Sequence, residues 1–314
     1  MRDVSPPRES GQVAVEAAII MPMMIFLVLG ILQLTLVQHA KLMTEYAAYQ
    51  AARAGIVWNG NPIRMQDAAV VALLPTVGRT DSLEQIGRTW ERQQQIDQIL
   101  REVSWEATGV PQPEDFMGAN LFGQVRVDTI SPAYFSPIDS IWKLKAQANW
   151  EELDFDGAET YPEVPALDTK IQNFFNLPLP DDAETAYRKS TRLTIRLRYF
   201  YEMRVPFANQ VIFTTWYASN AGVVLGGILG GPVEGREALE GANVLGIGHQ
   251  KGFPTVYPAE MRALWALANG DAEGISQQLG GKKYYLPLSA THTMRMQSNF
   301  HRKWIMHLQP DWGF

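Results

Sequence analysis

From Ala17 to Val37 the chain carries no charged side chain, a run of about 21 residues. In a helix rising about 1.5 Å per residue, that run covers the roughly 30 Å of a membrane's hydrocarbon core, so the pattern predicts a membrane span. A single carboxylate, Glu16, stands at its head, and Pro22 lies inside it, where the missing N–H predicts a kink. Nothing stops the helix before Asn59, Gly60 and Pro62, so it is expected to continue well past the membrane. Over that continuation Leu36, Ala40, Met43, Ala47, Ala51 and Ala54 recur at steps of three and four and draw one smooth face of mostly small side chains. Such a face admits close approach, either by a neighbouring helix in a bundle or by the chain's own folded part.

Beyond Asn59 the period of the pattern predicts both helices and strands. Ile63 to Leu74 is an amphipathic helix ended by Pro75, and Ser82 to Val103 is a second one, with Asp81 as its cap. A loop through Gly109, Pro111 and Pro113 follows. Gln124 to Ile130 alternates as a half-buried strand does, and Thr191 to Val205 is the longest alternation in the chain. There Leu193, Ile195, Leu197, Tyr199, Tyr201 and Met203 face one side, and Arg192, Thr194, Arg196, Arg198, Phe200, Glu202 and Arg204 the other. Pro258 to Asn269 is a short helix with proline at its start, and Tyr284 to Ser298 is another strand, carrying Leu286, Leu288, Met294 and Met296. Residues 161–180, with four prolines, and 234–257 are expected as loop.

One stretch admits more than one reading. Val205 to Val233 has no charged residue, and Gly222, Gly226 and Gly230 are spaced by four. A second span or a membrane-surface element fits that composition, but Asn209, Gln210, Ser219 and Asn220 interrupt it and glycines weaken helices. The expectation is therefore a core strand followed by a glycine-rich loop.

These elements predict an α+β fold, with a long N-terminal transmembrane helix leading into a domain built on an antiparallel sheet. The boundaries are a leader at residues 1–11, the N-terminal helix at 12–57 with the span at about 17–37, and the folded domain at 58–314. With 314 residues, 46% of them hydrophobic, and nine tryptophans, the chain has the material for a true core. Its net charge of −6, with both signs interspersed, leaves no basic face for nucleic acid. The absence of cysteine excludes disulfides, thiolate metal sites and cysteine nucleophiles.

The head of the span carries the most specific signal. MRDVSPPRES, polar and with two adjacent prolines, leads into Gly11, Gln12 and, four residues later, Glu16. An acid inside an apolar run is costly and has a partner or a task. These residues resemble the processing site of type IV prepilins, and YAAYQAARAG, Tyr46 to Gly55, resembles the segment that follows the membrane helix in TadE-like pseudopilins of tight-adherence (Tad or Flp) pilus systems. Two features depart from the pattern: Ala17 stands where an aromatic residue is frequent, and the chain exceeds the usual TadE length.

The resemblance implies an inner-membrane protein whose C-terminal domain is periplasmic or extracellular. It implies cleavage by a prepilin peptidase between Gly11 and Gln12, with Glu16 becoming the fifth mature residue and guiding assembly. The implied partners are that peptidase, other pilins or pseudopilins and the platform proteins of the inner membrane, in a hetero-oligomeric assembly; Ala40, Met43, Ala47, Ala51 and Ala54 would be its helix-packing residues. The N-in orientation rests on the resemblance, since Lys41, Arg53 and Arg64 follow the span while Arg2 and Arg8 are balanced by Asp3 and Glu9. The alternative is an uncleaved signal anchor that tethers a binding or adhesin module.

Other chemistry is weakly signalled. Glu152, Asp154, Asp156, Gly157 and Glu163 take EF-hand positions, but Pro162 and Pro165 stand where its exiting helix belongs, so an acidic, solvated turn is expected. His39, His249, His292, His301 and His307 form no metal-binding spacing, and the GxG of Gly246 and Gly248 lacks a strand-turn-helix frame. No GxSxG elbow or paired-carboxylate set points to catalysis, so neither an enzyme nor a cofactor is expected.

Overall fold

The computed structural model describes residues 9–108, 122–131, 152–153, 192–229, 256, 258–270 and 281–301. Helix α1 (Glu9–Val57) runs through Pro22 as one continuous element and is followed by α2 (Pro62–Val77) and α3 (Leu83–Thr108). Then come strands β1 (Val125–Ser131), β2 (Glu152–Leu153) and β3 (Arg192–Glu202), helices α4 (Ala208–Leu229) and α5 (Pro258–Asn269), and strands β4 (Tyr285–Arg295) and β5 (Phe300–His301). The fold is α+β: a long apolar N-terminal helix, further helices and an antiparallel three-stranded sheet.

Local chemistry sets the first boundaries. Asn59 and Gly60 take left-handed backbone angles, φ 57° and 73°, which turn the chain out of α1. Gly60 has no alternative, because a Cβ there would stand 2.0 Å from the Phe300 ring. Asn61 then caps α2, its side chain accepting from the N–H groups of Ile63 at 3.0 Å and Arg64 at 3.4 Å, while Pro62 needs no donor at the helix start.

Two helix ends differ from the sequence expectation. Helix α2 passes through Pro75 to Val77, since a proline in the last turn removes one bond only and the Gly78 N–H still reaches the Leu74 carbonyl at 3.1 Å. Helix α3 is capped by Ser82, not Asp81: the Ser82 hydroxyl accepts from the Gln85 N–H at 3.3 Å, and the helix extends beyond Val103 to Thr108.

The sheet has the order β1-β3-β4, both pairings antiparallel, with Val125 opposite Tyr199 and Leu197 opposite Ala290. A bulge interrupts β1 between Thr129 and Ser131. Pro287 is tolerated because β4 is an outer strand, where a missing N–H breaks no second ladder. Helices α1 and α2 cover the face carrying Leu193, Ile195, Leu197, Tyr199 and Tyr201, and this face is the main core. Helices α3 and α5 pack on each other and reach the opposite face, through Asp97 and Glu260. A minor sheet pairs β2 with β5 and closes the distal end of α1, where the Ile56 and Asn59 carbonyls accept from the N–H groups of Gln297 and His301.

The stretch after β3 is a correction: in place of a core strand and glycine-rich loop, residues Ala208–Leu229 form α4. The reason is visible in its first thirteen residues. Phe213, Trp216 and Asn220 are buried while Val211, Thr214, Thr215 and Ala218 are exposed, a division with helical period. Of the segments expected as loop, residues 109–113, 161–180 and 234–255 lie outside the described residues, as do Asp154 to Glu163, Gly246, Gly248, His249, His307 and the tail from 302.

Candidate functional site

Helix α1 is divided by its surroundings. From Ala14 to Leu32 every side chain is exposed or half-exposed, and nearly all are apolar. Those 19 or so residues project from the folded domain as a rod of about 28 Å, close to the thickness of a hydrocarbon core. Glu16 stands near the free end of this rod, exposed in the isolated chain, and Gly11 and Gln12 belong to the same helix one turn earlier. This is the one helix among the described residues that is long and apolar enough to cross a membrane.

At Gln33 the environment changes. The Gln33 side chain is fully buried, and its Oε1 accepts from the Val205 N–H at 2.9 Å. From there to Ile56 one face of α1 lies on the chain's own sheet and on α2. Ala40, Ala47 and Ala51 are buried there, Met43 packs against the same core, and Ala54 is half-buried. Of the two partners open to the small-residue face, the chain's own domain occupies it. The approach is tight: a Cβ on Gly55 would meet Leu193 at 2.5 Å and Met65 at 2.6 Å. Lys41, from the flank of this face, donates to the Ser289 carbonyl of β4, and burial lowers its pKa from the ordinary lysine value despite nearby Glu45.

The opposite face of α1 stays open. Leu34, Leu42, Tyr46 and Tyr49 are large, apolar and exposed, and they continue upward from the projecting rod. The Tyr49 ring meets His292 edge-on at 5.3 Å, so its position is fixed by β4.

A second constellation, absent from the sequence expectation, lies on the far face of the sheet. Arg126 and Arg198 are directly opposed on β1 and β3, and both are buried. Glu260 of α5 reaches between them, 2.6 Å from Arg198 and 3.6 Å from Arg126. Asp128 pairs with Arg126 and Arg196 at 3.1 Å each, and Arg198 also donates to the Gly123 carbonyl at 2.7 Å. Burial opposes ionisation of Asp128, yet the two guanidiniums outweigh it and hold the carboxyl below the usual range. Burial pushes Arg198 down to about 10, which leaves it charged at neutral pH. Like charges directly opposed on neighbouring strands repel, so the acids are needed for this face to close. The sequence signal was present as arginines at alternate strand positions and a helix from Pro258; what it lacked was the packing that brings Glu260 of that helix onto this face.

Residues 11–53 match the family model described as TadE-like protein. The chain carries a TadE-like segment. No curated protein and no solved structure matches the chain. The TadE-like family is a structural component of pilus assembly, not an enzyme family, and the likeness lies in residues 11–53. The segment covers the projecting rod and most of the face that carries the domain; its small residues Ala47, Ala48, Ala51 and Ala52 are those that let the sheet and α2 approach α1. The arginine-carboxylate cluster lies entirely outside it. Among the described residues no group of three His, Asp or Glu side chains is placed to hold a metal ion, and Glu152, once an EF-hand candidate, stands in a short strand paired with His301.

Proposed function

We propose that this protein is a minor pilin or pseudopilin of a Tad-like pilus, held in the inner membrane by the exposed part of α1 with its α+β domain on the periplasmic side. The observation that carries the reading is the division of the TadE-like segment. A bare apolar rod with Glu16 near its tip continues, without a break, into a helix that the domain grips from Gln33 onward. Force applied to the rod is therefore transmitted to the domain through one rigid element.

In this reading a prepilin peptidase cuts between Gly11 and Gln12, and Glu16 meets the new amino group of a neighbouring subunit's Gln12. A carboxylate in a low-dielectric setting gains most from such a cation. The outer stripe of Leu34, Leu42, Tyr46 and Tyr49 supplies apolar contact area for other pilins or platform proteins, because the small-residue face is already taken.

The test is the N-terminal peptide of the membrane-extracted protein, determined by mass spectrometry. A chain beginning at Gln12, and no longer doing so after substitution of Gly11, supports the processed subunit; a chain still beginning at Met1 leaves a tethered binding module. Glu16→Gln is expected to be cleaved normally and to fail in assembly. Normal incorporation of that variant into the pilus fraction would remove the proposed role of the carboxylate.

A further inference from the structure

Where the bare part of α1 ends, the domain presents a second apolar surface. Val205, whose N–H is bound by Gln33, leads directly into Pro206 and Phe207. Phe207 takes a left-handed φ of 63°, unfavourable for a bulky residue, and the residue is 67% exposed. Helix α4 starts at the next residue. Its inner side is anchored by Phe213, which packs on Trp216, Trp265 and Tyr284, while Val211, Thr214, Thr215 and Ala218 form its outer side.

Two properties of that outer side point the same way. It bears no charge anywhere from Val205 to Val233. Its hydroxyls also do without water: Thr214 donates to the Gln210 carbonyl at 2.6 Å, Thr215 to Val211 at 2.8 Å and Ser219 to Trp216 at 2.7 Å. Hydroxyls satisfied within the helix suit contact with lipid, and the exposed Gln210 amide stands in the first turn of α4, at the headgroup end. The surroundings fit as well. Arg204, exposed beside Val205, donates to the last carbonyls of α2, Thr76 and Val77, which brings the start of α3 to the same end of the domain. There Leu83 is 87% exposed between Asp81 and Glu84, which Arg79 and Arg88 neutralise; Lys282 is exposed just before β4, while Lys283 is held by Glu202 at 2.7 Å. An apolar patch edged by internally paired charges and the exposed Lys282 suits the headgroup layer of a bilayer.

We propose that the Pro206–Phe207 turn and the outer face of α4, with Leu83 beside them, rest on the membrane surface around the exit of α1, docking the domain onto the bilayer. The inference rests on the reading of Ala14–Leu32 as the membrane-embedded part. If about 28 Å of rod fills the hydrocarbon core, Gln33 lies at its boundary, and Phe207 and Val211, next to it, lie at headgroup depth. Docking of this kind makes the monomer a two-point attachment, which must be released when the subunit is drawn out of the membrane.

The absence of cysteine allows a direct test, since any introduced thiol is unique. Full-length protein carrying a nitroxide at Val211→Cys or Thr215→Cys is reconstituted in nanodiscs containing anionic lipid, with Ile25→Cys as a reference in the rod and Asp67→Cys as one on α2. Collision with oxygen, enriched in lipid, is compared with collision with a water-soluble nickel chelate. The expected result is an oxygen-to-nickel ratio at 211 and 215 severalfold above that at 67 and approaching that at 25. Ratios equal to that at 67, with 25 lipid-like, overturn the docking while leaving the span intact. Protection from both reagents at 211 and 215 overturns it in favour of protein covering the face. A water-like ratio at 25 removes the span reading and the docking with it.

Discussion

The two faces of β3 are made by one alternation and end in opposite environments. Leu193, Ile195, Leu197 and Tyr199 go under α1 and α2, where closeness is achieved by small residues on the helix. Arg196 and Arg198, one step along the same strand, are equally buried, but under α5, where closure is achieved by matching each guanidinium with a carboxylate. The first face transmits the domain's hold on the TadE-like helix. The second holds the sheet together behind it. Period-2 patterning thus fixes which residues share a face but leaves open whether a charged face meets water or protein.

The ionic face is the more fragile of the two. Glu260→Ala leaves Arg126 and Arg198 buried and opposed with their bridging carboxylate gone, and removal of one partner from a buried pair costs about 3–5 kcal/mol. The urea midpoint of the full-length protein in detergent or nanodiscs should fall accordingly. A change within about 0.5 kcal/mol, the range of ordinary surface substitutions, would mean that the arginines are stabilised by something other than Glu260.

The apolar face is expected to respond to added volume with a smaller loss. Gly55→Val inserts atoms where Leu193 and Met65 already stand within 2.6 Å of a Cβ position, and overpacking of this kind costs about 1–3 kcal/mol. Its consequence is also local: the grip on α1 loosens near its distal end, so limited proteolysis between α1 and α2 should accelerate before global unfolding does. Equal protection of wild type and variant would show that the core reaccommodates the side chain.

Most of this architecture was legible. The long apolar helix, the small-residue face, the long strand and the short helix from Pro258 follow from period and from charge-free length, because each depends on neighbours within a turn or a pleat. The TadE-like resemblance over about the first 55 residues was legible by likeness of motif, at Gly11, Gln12 and Glu16 and from Tyr46 to Gly55, and residues 11–53 match the family model. Two things were not. The helix Ala208–Leu229 was masked by glycines and amides that disfavour helix locally, a preference overridden once Phe213 and Trp216 found Trp265 and Tyr284 to pack on. The burial of Arg198 depends on Glu260 and that of Arg196 on Asp128, each more than sixty residues away in sequence, and no local pattern announces a partner at that distance. What the sequence displayed as the polar side of a strand is the inside of the protein.

The smallest expected effect distinguishes the faces by pH. The apolar face has no acid to titrate, whereas Asp128 on the ionic face is held below the ordinary carboxylate range by Arg126 and Arg196. Its carboxyl in the unfolded chain titrates near 3.9, so the unfolded state binds the extra proton first as acid is added. The stability from Asp128 is therefore complete above about pH 4 and declines as the pH falls through the lower, folded-state value. Lys41 has the opposite effect on the neutral-pH balance: its lowered pKa makes the charged form costly to the fold, a cost relieved only as the pH rises toward 10.5. A series of urea midpoints from pH 7 to pH 3 should thus decline more gently in Asp128→Asn than in wild type. The two curves should converge at the acid end, because protonated Asp128 and asparagine both present Arg126 and Arg196 with a neutral group. Parallel curves would assign the acid sensitivity to other carboxylates and remove Asp128 from the account of what closes this face.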